Sequence, residues 1–211
     1  MGESQGKSTK NLAALTKSEP SLDNRAPVCY NECIKAKGRQ FMKKIAIVIN
    51  GRGGVGKDTL CDLAAKHFRV KNISSVTPIK EIAAMCGWDG RKDPKSRKFL
   101  SDLKQLCVNY NDFPTNWAYR EYLEFLESDK EVFFVHIREG SEIQKFIDRT
   151  GGQAVALLVR AGSRALGGTL GNASDDEVEN YSYDYYFVND KSLREAEESF
   201  VALLESIAQQ R

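Results

Sequence analysis

Residues 44–59 read KIAIVINGRGGVGKDT, and this stretch decides how the rest of the chain is organised. It begins with the apolar run Ile45 to Ile49, which is rich in β-branched residues and far too short to span a membrane. Such a run is typical of a strand buried on both faces of a parallel sheet. Asn50 ends the run, and four glycines follow within six residues. Since glycine allows the backbone to turn tightly, we predict a strand, a tight turn and then a helix.

The turn has the composition of a phosphate-binding loop. Residues 51–57 match the first seven positions of the motif G-x-x-x-x-G-K-[ST]. Successive backbone N–H groups would point into one concavity, and the N-terminus of the next helix would add its dipole at the same point. An ordinary glycine-rich turn is the alternative, but the buried strand before it and the amphipathic helix after it favour nucleotide binding. The predicted binding residues are Gly51, Gly53, Gly54, Val55, Gly56, Lys57, Asp58 and Thr59.

One position departs from the motif. Asp58 stands where the motif has the serine or threonine that binds Mg²⁺, and the hydroxyl comes one residue later, at Thr59. We therefore predict Asp58 and Thr59 as the metal-binding residues. Lys57 would reach the outer phosphates as a mobile cation.

The composition bounds the class of protein. A chain of 211 residues suits one α/β domain. A net charge of +2 gives no indication of binding to nucleic acid or to a membrane surface. No apolar run approaches the roughly 20 residues that a membrane span needs. Five scattered cysteines favour reduced thiols in a cytoplasmic protein.

The first 41 residues are unlike the remainder. They are rich in Ser, Lys, Asn and Gly, they lack a sustained apolar period, and they hold seven basic against four acidic residues. We predict residues 1–41 as a disordered extension and residues 42–211 as the folded domain. A basic docking arm is the alternative.

Apolar periodicity predicts alternating strands and helices after the loop. The predicted strands are residues 45–49, 71–77, 131–137, 154–159 and 185–188. The predicted helices are residues 57–68, 78–85, a stretch after Pro94, and residues 114–128, 141–149 and 192–209. In the last helix, Ser192 and Glu195 form a candidate capping box, and the predicted inward residues are Leu193, Phe200, Leu203, Leu204 and Ile207. This alternation indicates a parallel sheet with helices on both faces.

Several motifs, in this order along the chain, resemble those of P-loop nucleoside monophosphate kinases. They are Gly-Lys-Asp-Thr at 56–59, TPIKE at 77–81, GWDGRKD at 87–93, IRE at 137–139 and YSYDYYFVND at 181–190. The set is similar to phage-type deoxynucleoside monophosphate kinases and, more distantly, to animal-type phosphomevalonate kinase. The resemblance covers about residues 43–209. It implies a three-layer α/β/α P-loop NTPase fold of the adenylate-kinase type, with about five parallel strands and a short lid.

The resemblance also implies roles for particular residues. ATP and Mg²⁺ would be the cofactors, and residues 77–128 would bind the acceptor. Lys80, Arg97 and Arg138 would clamp the acceptor phosphate, although for any one of the helix residues a solvated surface is as good an interpretation. Residues 160–180 would form the lid. The catalytic residues would then be Lys57, Arg138, Arg160 and Arg164.

The function implied is ATP-dependent transfer of the γ-phosphoryl group to a small phosphorylated acceptor, with a nucleoside or deoxynucleoside monophosphate expected first. Phosphomevalonate and dephospho-coenzyme A are alternative acceptors. His136 stands where the family has an acid that helps to hold Mg²⁺, and imidazole is a poor ligand for Mg²⁺. A nucleotide-binding protein without kinase activity is therefore a second hypothesis. A nucleic-acid-associated protein that uses the basic arm is a third and weaker one.

Overall fold

The computed structural model describes residues 43–162 and 177–211, and these residues form five strands, six α-helices and one short 3₁₀ helix. The strands are β1 (Ile45–Asn50), β2 (Val70–Ser74), β3 (Val132–His136), β4 (Ala154–Ala161) and β5 (Tyr185–Asn189). The helices are α1 (Lys57–Ala64), α2 (Thr77–Met85), α3 (Pro94–Asn111), α4 (Phe113–Glu127), α5 (Gly140–Arg149) and α6 (Leu193–Gln209). The 3₁₀ helix spans Glu177–Asn180.

The strands form one parallel sheet in the order β2-β3-β1-β4-β5. The central strand β1 pairs with β3 on one side and with β4 on the other, so that Ile47 lies between Phe134 and Val155. All six residues of β1 are buried, as its apolar run indicated. The predicted parallel sheet is confirmed.

Two apolar cores lie on the two faces of the sheet. Ile45, Ile47 and Ile49 of β1 belong to the core that packs under α1 and α6. Ala46 and Val48 face the other way, into the core under α4 and α5. Because successive side chains of a strand point to opposite faces, one apolar strand contributes to both cores. The three-layer α/β/α architecture is confirmed.

Local capping signals set where several helices begin. The carboxylate of Asp93 accepts a hydrogen bond of 3.0 Å from the backbone N–H of Ser96, so Asp93 caps α3. At the start of α6, the Ser192 hydroxyl and the Glu195 carboxylate form the reciprocal pair of a capping box, as predicted.

The structure corrects three sequence expectations. Helix α1 ends at Ala64, four residues before its predicted end, and β2 ends at Ser74 because α2 begins at Thr77. Leu193 was predicted to face inward, but its side chain is 67% exposed. Leu193 is the first residue of α6, and at this end the helix does not cover the core. Phe200, Leu204 and Ile207, which lie further along the helix, are buried.

Helix α3 sits at the surface along its whole length. Of the residues described in this 18-residue helix, none is buried, and Leu106 and Tyr110 are largely exposed. A sharp corner joins it to α4, since Asp112 has a positive φ of 51°. The spacing of the apolar residues predicts one apolar face on this helix, formed by Phe99, Leu100, Leu103, Leu106 and Cys107. None of these residues belongs to either core.

Some predictions fall outside the described residues. These are the extension of residues 1–41 and most of the proposed lid, including Arg164. Among the helices within 43–162 and 177–211, none is both long and apolar enough to cross a bilayer.

Leu204 and Leu193 provide a matched test of this packing, because they are the same residue type on one helix. We expect Leu204→Ala to lower the free energy of unfolding by about 2–5 kcal/mol, since Leu204 is fully buried between α6 and the sheet. Leu193→Ala should cost about 0.5 kcal/mol or less. Urea denaturation of both variants measures the difference, and equal losses would contradict the placement of α6.

Candidate phosphate-binding site

The loop of residues 51–56 joins the carboxyl end of β1 to the N-terminus of α1. Strand β1 is central in the sheet, and its neighbours β3 and β4 end at the same edge. In parallel α/β sheets, ligands bind at this carboxyl edge. The fold therefore places the predicted loop where a bound phosphate is expected.

Two glycines of the loop have positive φ and lie close to atoms of β4 and β5, so a side chain at either position would be strained. A Cβ on Gly51, whose φ is 148°, would lie 2.4 Å from the carbonyl oxygen of Val159 in β4. A Cβ on Gly56, whose φ is 90°, would lie 2.5 Å from the side-chain amide of Asn189. The loop consequently packs against β4 and β5 through its backbone.

Lys57 folds back over this loop. Its Nζ donates to the carbonyl oxygens of Gly51, at 2.5 Å, and Arg52, at 2.9 Å. The side chain is only partly exposed. The ammonium group thus lies beside the loop backbone. This is the position that a cation needs in order to contact phosphates bound in the loop.

A buried amide fixes the start of the loop. The side-chain oxygen of Asn50 accepts from the Gly51 N–H at 2.8 Å, and its Nδ2 donates to the Arg138 carbonyl at 2.9 Å. The same Nδ2 donates to the Tyr183 hydroxyl at 2.8 Å, and this hydroxyl donates in turn to the carbonyl of Val178 at 2.9 Å. Burial raises the pKa of Tyr183 to about 12, so the hydroxyl keeps its proton and can serve both bonds.

Asn189 holds the other end of the loop. It is the last residue of β5, and its Nδ2 donates to the Val55 carbonyl at 2.9 Å. Val55 itself is buried. The loop is therefore attached to the ends of β3 and β5 by two asparagine side chains.

His136 ends β3, next to the loop. Its Nε2 lies 2.9 Å from Oδ1 of Asn72, 3.8 Å from Oδ1 of Asp58 and 3.9 Å from Sγ of Cys61. Because the Asn72 oxygen accepts, Nε2 carries a proton. Burial lowers the pKa of His136, Lys57 and Arg138 lower it further, and Asp58 opposes them. At neutral pH this position therefore presents a neutral imidazole.

The predicted metal residues lie at the start of α1. Asp58 and Thr59 are exposed, and the Asp58 side chain is 91% accessible. Within residues 43–162 and 177–211, no group of three or more His, Cys, Asp or Glu side chains is arranged to hold a metal ion. A carboxylate and a hydroxyl are oxygen ligands that suit Mg²⁺, which usually takes only one or two carboxylates plus phosphates and waters. The residues present thus fit a nucleotide-bound Mg²⁺ rather than a metal held by the protein alone.

The predicted cationic residues lie on several elements. Arg138 lies two residues after the end of β3, and its carbonyl is joined to the loop through Asn50. Lys80 and Arg97 are exposed in the first turns of α2 and α3. Their role as phosphate ligands stays a prediction, as does that of Arg138.

Arg160 lies near the end of β4 and already has partners. Its guanidinium pairs with the Glu179 carboxylate, with Nε at 3.1 Å, and lies 4.9 Å from the centre of the Tyr186 ring. The hydrogen bond with Glu179 raises the pKa of Arg160. A catalytic role for Arg160 would require this pair to separate.

Sequence reasoning missed the residues that hold the loop in place. Asn50 and Asn189 each end a strand, and a polar side chain in that position was the available signal. Tyr183 and Asn189 belong to the YSYDYYFVND stretch. The family resemblance included this stretch, but it did not indicate what either side chain does. Their roles depend on contacts between distant parts of the chain.

No model of a known protein family matches the chain, and neither does any curated protein. Solved structures are similar in fold. Shikimate kinase from Aquifex aeolicus is 14% identical with a TM-score of 0.44, over 78% of this chain and 98% of that one. A gluconokinase from Sinorhizobium meliloti is 16% identical with a TM-score of 0.44, over 82% and 97%.

The signal recognition particle receptor from Elizabethkingia anophelis, solved in complex with GDP, is 14% identical with a TM-score of 0.38, over 83% of this chain and 57% of that one. At these values the likenesses concern the arrangement of strands and helices. They do not indicate what this chain binds or does.

Alanine substitutions at Gly51 and Gly152 distinguish the cost of backbone strain from the cost of a steric clash with β4. Both glycines have a positive φ, but only a Cβ at Gly51 would clash. Gly152→Ala should cost about 1 kcal/mol of unfolding free energy, because its φ is 73° and a Cβ there would meet no atom within 4 Å. Gly51→Ala should cost clearly more and should weaken phosphate binding, because the Val159 carbonyl cannot move without disturbing the sheet. Urea denaturation and calorimetric titration with inorganic triphosphate measure the two effects. Equal costs with intact binding would contradict the loop geometry.

Proposed function

We propose that this protein is an ATP-dependent kinase that passes the γ-phosphoryl group to a small phosphorylated acceptor, most simply a nucleoside or deoxynucleoside monophosphate. The observation that carries the proposal is the glycine loop at the carboxyl edge of the sheet, with Lys57 folded over it and Asn50 and Asn189 holding its two ends. The sequence resemblance supports the choice of acceptor.

The chemistry needs little more than positioning and charge. Phosphoryl transfer proceeds when two anions are aligned, shielded from water and neutralised. The N–H groups of the loop and of the first turn of α1 would hold the donor phosphates, since the first N–H groups of a helix have no intrahelical acceptor. Lys57 would neutralise charge on the outer phosphates.

Mg²⁺ would be held by Asp58 and Thr59 together with the nucleotide. It would supply charge neutralisation at the transferring group. Asp58 takes the place of the hydroxyl residue in the motif, so it brings a negative charge where the motif has a neutral ligand. This charge would offset the absence of an acid at His136.

The acceptor phosphate is assigned to Lys80, Arg97 and Arg138. Arg138 has the strongest structural argument of the three, because its backbone is bonded to the loop through Asn50. Arg160 and Arg164 are proposed to assist from the lid segment. We also propose a cytoplasmic location, in keeping with the free thiols of Cys61, Cys86 and Cys107.

A second candidate function follows from His136. A neutral imidazole donating to Asn72 occupies the strand end where the resembling kinases have an acid. A protein that binds nucleotide through the loop and transfers no phosphoryl group would tolerate this substitution. The two functions are separated by turnover.

Lys57→Ala should abolish turnover, because the ammonium group that would neutralise the outer phosphates is then lost. A coupled assay of ADP release with ATP and Mg²⁺ measures this over nucleoside and deoxynucleoside monophosphates, phosphomevalonate and dephospho-coenzyme A. Lys66→Ala is the matched control, since Lys66 is an exposed lysine paired with Glu197 at the C-terminal side of α1. Silence of the parent protein across the panel, together with ATP binding by calorimetry, would favour the second candidate.

His136→Asp should leave the kinase equally active or more active, because it restores an oxygen ligand beside Asp58. His136→Gln is the control, since its amide can still donate to Asn72 without adding a charge. The measurement is the dependence of turnover on Mg²⁺ concentration. Activity created by His136→Asp in a protein that otherwise has none would show that the parent is a nucleotide-binding protein without turnover.

A further inference from the structure

Three charged side chains meet at the end of β3, beside the candidate site. Nζ of Lys104 lies 2.5 Å from Oε2 of Glu139 and 2.9 Å from Oε2 of Glu142. Lys104 belongs to α3, Glu139 precedes α5, and Glu142 lies in the first turn of α5. The cluster therefore joins the surface helix α3 to the segment that follows β3.

The cluster is shielded from solvent, unlike the other ion pair formed by a lysine of α3. The side chains of Lys104 and Glu142 are only 17% and 9% exposed. Lys98 also pairs with a carboxylate, that of Asp102 at 2.6 Å, but this pair lies on the exposed face of the helix. Exposed ion pairs contribute little to stability, whereas shielded pairs are strongly destabilised when one partner is removed. Of these two lysines, Lys104 is therefore the one whose loss should weaken the attachment of α3 more.

The charges in the cluster do not balance. Two carboxylates face one ammonium group, and Oε2 of Glu142 is buried without a well-aligned hydrogen bond although it lies 2.9 Å from Nζ. A buried carboxylate without such a bond is costly when ionised. One proton held between Glu142 and Glu139 removes the excess charge, and it lets Glu142 donate to its neighbour.

We propose that Lys104 is a positioning residue that clamps α3 onto the end of β3, and that a proton shared by Glu142 and Glu139 sets the strength of this clamp. The apolar side chains of α3 that face α2 and α4 are at most partly buried, so this shielded cluster adds a polar contact to a helix without a fully buried anchor. Glu139 directly follows Arg138, whose carbonyl is bonded to Asn50. The clamp thus holds the acceptor-side helix at a set distance from the loop.

The sign of the pH dependence follows from the two carboxyls. Burial raises the pKa of Glu142 to about 7, with Lys104 opposing and Glu139 adding to the shift. Its contribution to the clamped state is complete below the ordinary pKa of 4.5 and is lost as the pH rises through about 7. Burial opposes ionisation of Glu139, but Lys104 outweighs it and lowers the pKa, so this contribution is lost only in stronger acid.

Neighbouring charged groups leave this window unchanged. On α5, Lys145 is engaged with Asp112 at 2.6 Å. Tyr181 packs against Gly140, and burial raises its pKa above the ordinary value of 10.0, so it stays neutral. Arg138 is the residue immediately before Glu139 in the chain. We therefore expect the clamp to be strongest at mildly acidic pH and weaker at pH 8.

Hydrogen exchange of the α3 amides tests the clamp directly in the full chain. After correction for the intrinsic exchange rate, residues 94–111 should be protected about tenfold more at pH 6 than at pH 8. Glu142→Gln stays neutral at both pH values, so its protection should no longer change with pH. Lys104→Met should lose protection at both, whereas the matched control Lys98→Met should behave like the parent.

Either of two results would overturn the proposal. One is protection of α3 that does not change with pH in the parent chain, and the other is an equal loss in Lys98→Met and Lys104→Met. If Lys104→Met does not fold, the comparison of parent with Glu142→Gln decides alone.

The consequence for catalysis rests on the proposed kinase function. In a kinase, Glu142→Gln should remove the pH dependence of KM for the acceptor and leave the Kd for ATP unchanged. Absence of kinase activity would leave the exchange result intact, so the two proposals fail separately.

Discussion

The side-chain amide of Asn50 is the contact on which the candidate site depends. It is buried at the end of the central strand, and it bonds at once to the loop, to the end of β3 and to the hydroxyl of Tyr183. A buried amide that loses a partner keeps its desolvation cost, about 1–3 kcal/mol for each unmet group. The glycine loop is therefore anchored by a network in which each member requires the others.

This anchoring explains why the loop can be built almost wholly from backbone. A phosphate site made of N–H groups requires a turn that does not shift when the anion binds, because binding energy would otherwise be spent on ordering it. Asn50 holds the beginning of the turn, Asn189 holds Val55, and the close approach of Gly51 to β4 leaves no space for movement toward the sheet. Lys57 contributes a side chain rather than backbone to this loop, and under the proposed function its ammonium group would exchange the Gly51 and Arg52 carbonyls for phosphate oxygens.

The distribution of charge around the loop differs from that of the kinases it resembles. Their acid at the end of β3 is replaced by a neutral imidazole, while a carboxylate, Asp58, appears at the start of α1. The negative charge thus lies on the helix rather than on the strand, and under the proposed function it would face a different side of the bound phosphates. The clamp of Lys104, Glu139 and Glu142 lies on the same side as β3, so protonation there would act on α3 rather than on the loop.

The sequence by itself determined the features that depend on neighbouring residues. The buried strands, the glycine turn and the capping box of α6 follow from local preference and periodicity, and the structure confirms each of them. Tertiary structure alone decided the strand order and the partners of the site residues. Tyr183 is 133 residues from Asn50, and Glu139 is 35 residues from Lys104. Such partners depend on how whole helices and strands pack against one another, which local sequence patterns do not specify. For the same reason, periodicity predicted that Leu193 and the apolar residues of α3 are buried, whereas in the structure none of them is.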